Sequence, residues 1–192
     1  MKLEESQTDA AERDIIVAAQ RGDREAFRAL YDRYRNRVYN LILYTTGDEV
    51  GAEDMLQIVF VKIYHGLPGF RFEASLATWI YRITVNECLN QQRGRSAQHV
   101  PFEALLGSDE EMDGSAAADL QHAEGERREI IRRAVMELSP KLRAVVALKY
   151  LEDLSYAEIA LVLECSAGTV ASRLNRALTD QEATLRPLMR LL

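Results

Sequence analysis

Apolar residues recur at spacings of three and four along most of this chain. Phe27, Leu30, Tyr31, Tyr34, Val38, Leu41 and Ile42 make one stripe, which predicts a long helix from about Glu25 to Tyr44. Ala52, Met55, Leu56, Val59, Phe60 and Ile63 predict a second over about Gly51 to Tyr64, and Leu76, Trp79, Ile80 and Ile83 a third that begins after Ser75 and runs toward Arg93-Gly94-Arg95. Between the second and third, His65–Ala74 reads as a loop by its Gly66, Pro68 and Gly69, and it brings Phe70, Arg71 and Phe72 together. Further on, Ile130, Ile131, Ala134, Val135 and Leu138 share one face of Arg127–Leu138. Ser139-Pro140 then offers an N-cap and a first-position proline for a helix over roughly Pro140–Tyr150. Ser155-Tyr156-Ala157-Glu158 is a capping box opening a helix through Leu163, and a last helix starts near Ser166 or Ala167 and reaches at least Leu178. No stretch reads as a strand, so the predicted class is all-α.

The helical signal fails over Ser96–Glu126, which is rich in small, acidic and turn-forming residues and has no sustained period. This predicts two small helical domains, 1–95 and 127–192, joined by a flexible acidic linker at 96–126. Charge supports the division. The 192 residues carry a net charge of −6, yet residues 103–126 alone hold eight acids and no Lys or Arg, so the remainder is +2. Positive charge gathers in patches, with 127–149 at +5, and the whole-chain balance is a poor guide to what each part binds.

Other classes recede. Apolar runs such as Ile15–Gln20 and Ile159–Leu163 are far too short to span a bilayer, and Met1-Lys2-Leu3-Glu4-Glu5 is too acidic and polar for a secretory signal, so the expected setting is cytoplasmic, without membrane insertion. Cys88 and Cys165 stand far apart, outside any metal-ligand spacing, and read as small apolar residues. His65, His99 and His122 lie in or near loop and linker, and no nucleophile elbow, P-loop or dinucleotide fingerprint occurs. No enzyme activity, metal or cofactor is expected.

Leu154–Leu178 has the spacing of a helix-turn-helix: a small residue inside the first helix (Ala160), a tight turn four residues later (Glu164), and a branched apolar residue six beyond (Val170), with Ile159, Leu163 and Leu174 available as core. The second helix of such a unit would show Ser166, Thr169, Ala171, Ser172, Arg173 and Arg176 to the major groove.

This segment, with Glu137-Leu138-Ser139-Pro140-Lys141-Leu142-Arg143 ahead of it, resembles the C-terminal DNA-binding domain of extracytoplasmic-function sigma factors of bacterial RNA polymerase. The upstream half is similar to the family's other domain in Gly22-Asp23-Arg24-Glu25-Ala26-Phe27, in Ala52-Glu53-Asp54-Met55-Leu56-Gln57, and in Phe70-Arg71 before Thr78-Trp79-Ile80-Tyr81-Arg82-Ile83 with Asn86. The run through Arg186-Pro187-Leu188 most resembles the envelope-stress type.

The resemblance implies an alternative sigma factor that binds core polymerase at its clamp and flap, with Asp54 and Gln57 in the clamp contact. It implies that the loop and third predicted helix engage the −10 promoter element. Phe70, Arg71 and Phe72 would then cradle an extruded base, Trp79 would divide its role between packing and stacking, and Arg82, Asn86, Asn90 and Arg93 would line the freed strand. The second domain would read the −35 element as duplex through Ser166, Thr169, Ser172, Arg173 and Arg176, with Lys149 adding a phosphate contact. It also implies an anti-sigma partner. The chain departs from the family pattern at Glu164 (often Gly), Ser166 (often Pro), Ala171 (often basic) and Ile58 (often acidic), so weak DNA affinity is expected of the protein alone. The competing reading is a stand-alone helix-turn-helix repressor or activator with a sensing or dimerising N-terminal half, for which no heptad or sensor pocket stands out.

Overall fold

A computed structural model describes residues 2–95 and 133–180, with side chains over 11–91 and 133–180. All regular structure among the described residues is helical. The first half holds α1 (Lys2–Gln20), α2 (Arg24–Thr46), α3 (Ala52–Gly66), a 3-10 turn at Leu67–Gly69, and α4 (Leu76–Arg95). After a helical stretch at 133–137 come α5 (Pro140–Tyr150), α6 (Tyr156–Val162) and α7 (Ala167–Asp180). The 96–126 segment lies outside the described residues, as do 127–132 and 181–192.

Local chemistry sets the helix ends. Asp23 caps α2 by accepting from the Glu25 and Ala26 amides at 2.9 and 3.1 Å. At the other end Gly47 takes a left-handed φ of 71° and returns its amide to the Leu43 carbonyl at 2.8 Å. Ser75 caps α4 by accepting from the Thr78 amide at 3.1 Å. The predicted box at α6 is complete: the Glu158 amide donates to Ser155 Oγ at 3.2 Å, and the Ser155 amide to Glu158 Oε2 at 2.8 Å.

The Ser155 hydroxyl, and then its amide, hold the Glu158 carboxyl below its ordinary range. A carboxyl depressed on folding contributes stability above its unfolded pKa and loses that contribution as pH falls through the folded value. Ser155→Ala is therefore expected to cost about 1 kcal/mol at neutral pH, read by urea unfolding, and the gap between variant and parent should narrow in acid.

α2 is the central helix, with α1, α3 and α4 packed around it. Val38, Leu41 and Ile42 are fully enclosed against Val59, Ile63, Ile80 and Val85. Cys88 belongs to the same core, and burial pushes its thiol up to about 12, so it stays protonated and inert at neutral pH. In the second half Val145, Leu148, Ile159, Val162 and Val170 form the core and the helix-turn-helix closes over it. The two halves also pack on each other, α2 against α5 and α4 against α6. Gly47 sits at this seam: a β-carbon there would fall 2.7 Å from Met136 Sδ and 2.8 Å from Arg143 Nη1.

Candidate nucleic-acid interface

The loop after α3 is braced from α1. Gln20 Nε2 donates to the carbonyls of Leu67 and Phe70 at 3.1 and 2.8 Å, and the Arg13 guanidinium lies 4.7 Å from the Phe72 ring centre. Phe72 adopts φ 61°, the left-handed region a bulky residue seldom enters. Phe70 is 7% exposed, its ring between Phe72 (centroids 4.9 Å) and Trp79 (5.4 Å), so it is the floor of the loop and part of the wall of the cavity beside Trp79. The ladder Leu67–Phe70 turns its ring inward, which the local sequence does not reveal.

Trp79 is half-buried, with its indole edge against Gly66, where an added β-carbon would come within 3.1 Å of it. The exposed Arg71 guanidinium, the Glu73 carboxylate, Trp79, Thr78 and Arg82 surround a cavity of about 540 Å³ whose remaining wall includes Leu161 of α6. That volume lies within the usual range for small-molecule clefts, about 300–1,000 Å³. Arg82, Asn86 and Asn90 stand exposed one turn apart, so α4 carries a polar row leading away from the cavity. Arg93 lies in the last turn of α4, with its side chain outside the described residues.

On α7, Val170, Leu174 and Ala177 face the core and the opposite side is open. Ser166 caps the helix, accepting from the Thr169 amide at 3.1 Å, and its hydroxyl shares a 2.9 Å hydrogen bond with the Thr169 hydroxyl. Ser172 and Arg176 are exposed, the latter 3.7 Å from Asp180. Arg173 is half-buried and points back to the turn, Nη1 lying 3.8 Å from Cys165 Sγ. The turn is a Schellman motif: Glu164 takes φ 49° and the Cys165 amide reaches the Ala160 carbonyl at 3.0 Å. Lys149 is engaged in a local turn. Asp153 turns left-handed (φ 51°), and the Lys149 ammonium closes that turn on the Leu154 carbonyl at 3.2 Å and the Asp153 carboxylate at 3.6 Å.

A second face lies on α3. Asp54 and Gln57 are exposed there, and Ile58 and Val61, 46% and 55% exposed, complete a stripe at helical spacing. Exposed branched side chains beside polar ones on a helix are the pattern of a docking face. The sequence marks Ile58 only as a departure, although the predicted stripe from Ala52 to Ile63 already leaves Ile58 and Val61 outside it.

Sequence reasoning also misses the contact between the halves. Glu152, just past α5, has its side chain 3% exposed; its carboxylate accepts from the Tyr81 hydroxyl of α4 and lies 3.7 Å from Arg37 Nε of α2. Burial pushes this carboxyl above its ordinary range, while the Tyr81 hydroxyl and Arg37 act against the rise. Glu164 reaches across the same seam to Arg82 at 3.8 Å. No local pattern announces either pair, since each joins residues more than 70 positions apart.

Residues 30–98 match the family model of sigma-70 region 2, and residues 128–180 that of sigma-70 region 4. The chain is 31% identical over 191 residues to the RNA polymerase sigma-H factor of Pseudomonas aeruginosa, covering 95% of this chain and 98% of that one. It is 33% identical over 184 residues to the ECF RNA polymerase sigma-E factor of Escherichia coli K12, covering 92% and 95%. Among solved structures, CnrH in complex with the cytosolic domain of CnrY is similar in fold, with a TM-score of 0.65 at 24% identity over 92% of this chain and 98% of that one. The sigma factor RpoE of Bartonella quintana, solved with the anti-sigma factor NepR, gives 0.63 at 21% identity over 83% and 96%.

Proposed function

The chain belongs to the extracytoplasmic-function sigma factors, and from that membership we propose how its parts divide the work of an alternative sigma factor that recruits core RNA polymerase to promoters and opens them. Residues 1–95 form the unit that holds polymerase and captures the −10 strand, 127–192 the unit that reads the −35 duplex, and 96–126 the tether between them. The observation that carries this reading is the pairing of two unlike surfaces on one chain: a cation-rimmed cavity beside Trp79, and an outward helix-turn-helix face on α7. A repressor needs only the second.

In strand capture, the energy of unpairing and unstacking, a few kcal/mol per base, is met by stacking and polar contacts to the freed base. Phe70 and the open edge of Trp79 supply apolar faces at the cavity, Phe72 packs on the Phe70 ring, and Arg71 and Arg82 supply cations for the backbone. Asn86, Asn90 and Arg93 extend the path along α4. On duplex DNA, Arg176 and Ser172 reach for base edges and phosphates, Arg173 turns outward from Cys165 to join them, and Ser166 and Thr169 present the N-terminus of α7, whose amides favour a phosphate. The α3 stripe of Asp54, Gln57, Ile58 and Val61 docks on the polymerase clamp.

An anti-sigma factor is the fitting regulator, since the sigma factor RpoE of Bartonella quintana, similar in fold, was solved with the anti-sigma factor NepR. No described helix is long and apolar enough to cross a membrane, and we place the chain with polymerase in the cytoplasm, as an initiation factor and not an enzyme. The test is run-off transcription from a promoter library with core polymerase and the purified chain. Transcripts that depend on the chain and share paired upstream elements support the reading; duplex binding by the chain alone, with no effect on polymerase output, refutes it.

A further inference from the structure

Two contacts from α1 converge on Phe70. The amide nitrogen of Gln20 carries two N–H groups and directs both at the loop after α3, to the Leu67 carbonyl at 3.1 Å and the Phe70 carbonyl at 2.8 Å. The Leu67 carbonyl also accepts from the Phe70 amide at 3.0 Å, so one side chain ties together both ends of the turn that delivers Phe70. The second contact acts through a neighbouring ring. Arg13 lies 4.7 Å from the Phe72 ring centre, and that ring packs on Phe70 with centroids 4.9 Å apart. Phe72 holds this place on a left-handed backbone, φ 61°, a conformation that persists only where the surroundings support it. Phe70 in turn meets Trp79 and forms part of the cavity wall, to which no described residue of α1 contributes.

We propose that Gln20 and Arg13 are positioning residues for promoter opening. Gln20 sets the Phe70 backbone and Arg13, through Phe72, sets the Phe70 ring, so that α1 fixes the shape of the base cavity from behind. The rate of opening then depends on α1, while the affinity for polymerase and promoter does not. The effect on opening rests on the strand-capture reading above; the hold on the loop rests on geometry alone. An amide suits the task because its donors are neutral. A lysine could reach the same carbonyls only by bringing a charge to a half-buried place. The two contacts differ in weight. Gln20 supplies two hydrogen bonds across 47 and 50 positions of sequence, whereas the Arg13 guanidinium meets Phe72 from an exposed position on α1.

Trp79 is the one tryptophan of the chain, so its fluorescence in the free, full-length protein reports on the cavity wall directly. Gln20→Met, which keeps the side-chain length and removes both donors, should shift Trp79 emission to the red and raise its quenching by acrylamide. Far-UV circular dichroism should stay parental. With core polymerase and a duplex promoter carrying 2-aminopurine in the −10 element, the maximal rate of opening should fall about tenfold, and the holoenzyme concentration giving half that rate should not move. Arg13→Ala should slow opening about two- to fivefold, and should add nothing in a Phe72→Gly background, because it acts through that ring. Should Gln20→Met fail to fold, Gln20→Glu, equal in shape and lacking the donors, carries the same measurements. Parental Trp79 emission and quenching in the folded Gln20 variant overturns the hold on the loop. Trp79 signals that change while opening keeps its parental rate overturn the link to opening, and an Arg13→Ala loss that persists without the Phe72 ring overturns the route through Phe72. The strand-capture reading is judged separately, by opening with Arg82→Ala, which leaves every α1 contact in place.

Discussion

Phe70→Ala is expected to remove about 3–5 kcal/mol of stability, the cost of deleting a buried aromatic side chain, with a matching fall in the urea midpoint. The ring is 7% exposed and touches both Phe72 and Trp79, so its loss leaves a void under the loop that Gln20 holds by the Leu67 and Phe70 carbonyls. Phe72→Gly should behave in the opposite way. The left-handed backbone at 72 favours glycine, which offsets the lost contact with Arg13, and stability should change by less than about 1 kcal/mol. Promoter opening by reconstituted polymerase should nevertheless fall steeply with Phe72→Gly, because the ring that packs on Phe70, in the cavity wall, is gone. If Phe70→Ala unfolds no more readily than the parent, Phe70 is no floor. If Phe72→Gly opens promoters at the parental rate, the loop does not cradle a base.

Arg176→Ala carries the second large effect. The side chain is 75% exposed and makes one surface ion pair with Asp180, so unfolding should move by no more than about 0.5 kcal/mol. A guanidinium reading a base edge is worth about 1–3 kcal/mol of discrimination, which predicts a loss of roughly five- to 150-fold in initiation at promoters selected by the parent. If it meets a phosphate instead, the loss is uniform across sequences and the slope of log affinity against log salt falls by about one. Asp180→Asn, which frees the guanidinium, should strengthen binding in either case. Initiation unchanged at every salt concentration with Arg176→Ala would remove this residue from the DNA face.

Helix positions were legible from period and caps alone: the stripe from Phe27 to Ile42 lies inside α2, and the Ser155 box opens α6 as predicted. α1 was not, because its first ten residues are dominated by polar and acidic side chains and only Ile16 and Ala19 are buried in the part whose side chains are described. The helix-turn-helix was readable because its spacing is set by helix crossing: Val170 and Leu174 had to point inward, which left Ser172 and Arg176 outside. Depth within a loop has no such period, and so Phe70 and Phe72 look alike in sequence and differ in burial. The turn that Lys149 closes is hidden for a related reason: its ammonium bonds a left-handed turn at Asp153, a residue type that only tolerates that conformation and does not advertise it. The seam at Glu152 depends on tertiary approach of distant helices and leaves no trace in local pattern.

The central claim is that this chain makes polymerase separate the strands of a promoter. Permanganate reactivity of thymines in the −10 element, measured on a duplex promoter with core polymerase and the purified chain, tests it most directly. Reactive thymines that appear only when both proteins are present, and fade with Phe72→Gly while polymerase binding persists, are the predicted result. Thymines that stay unreactive although the chain is bound to polymerase and the promoter would contradict it.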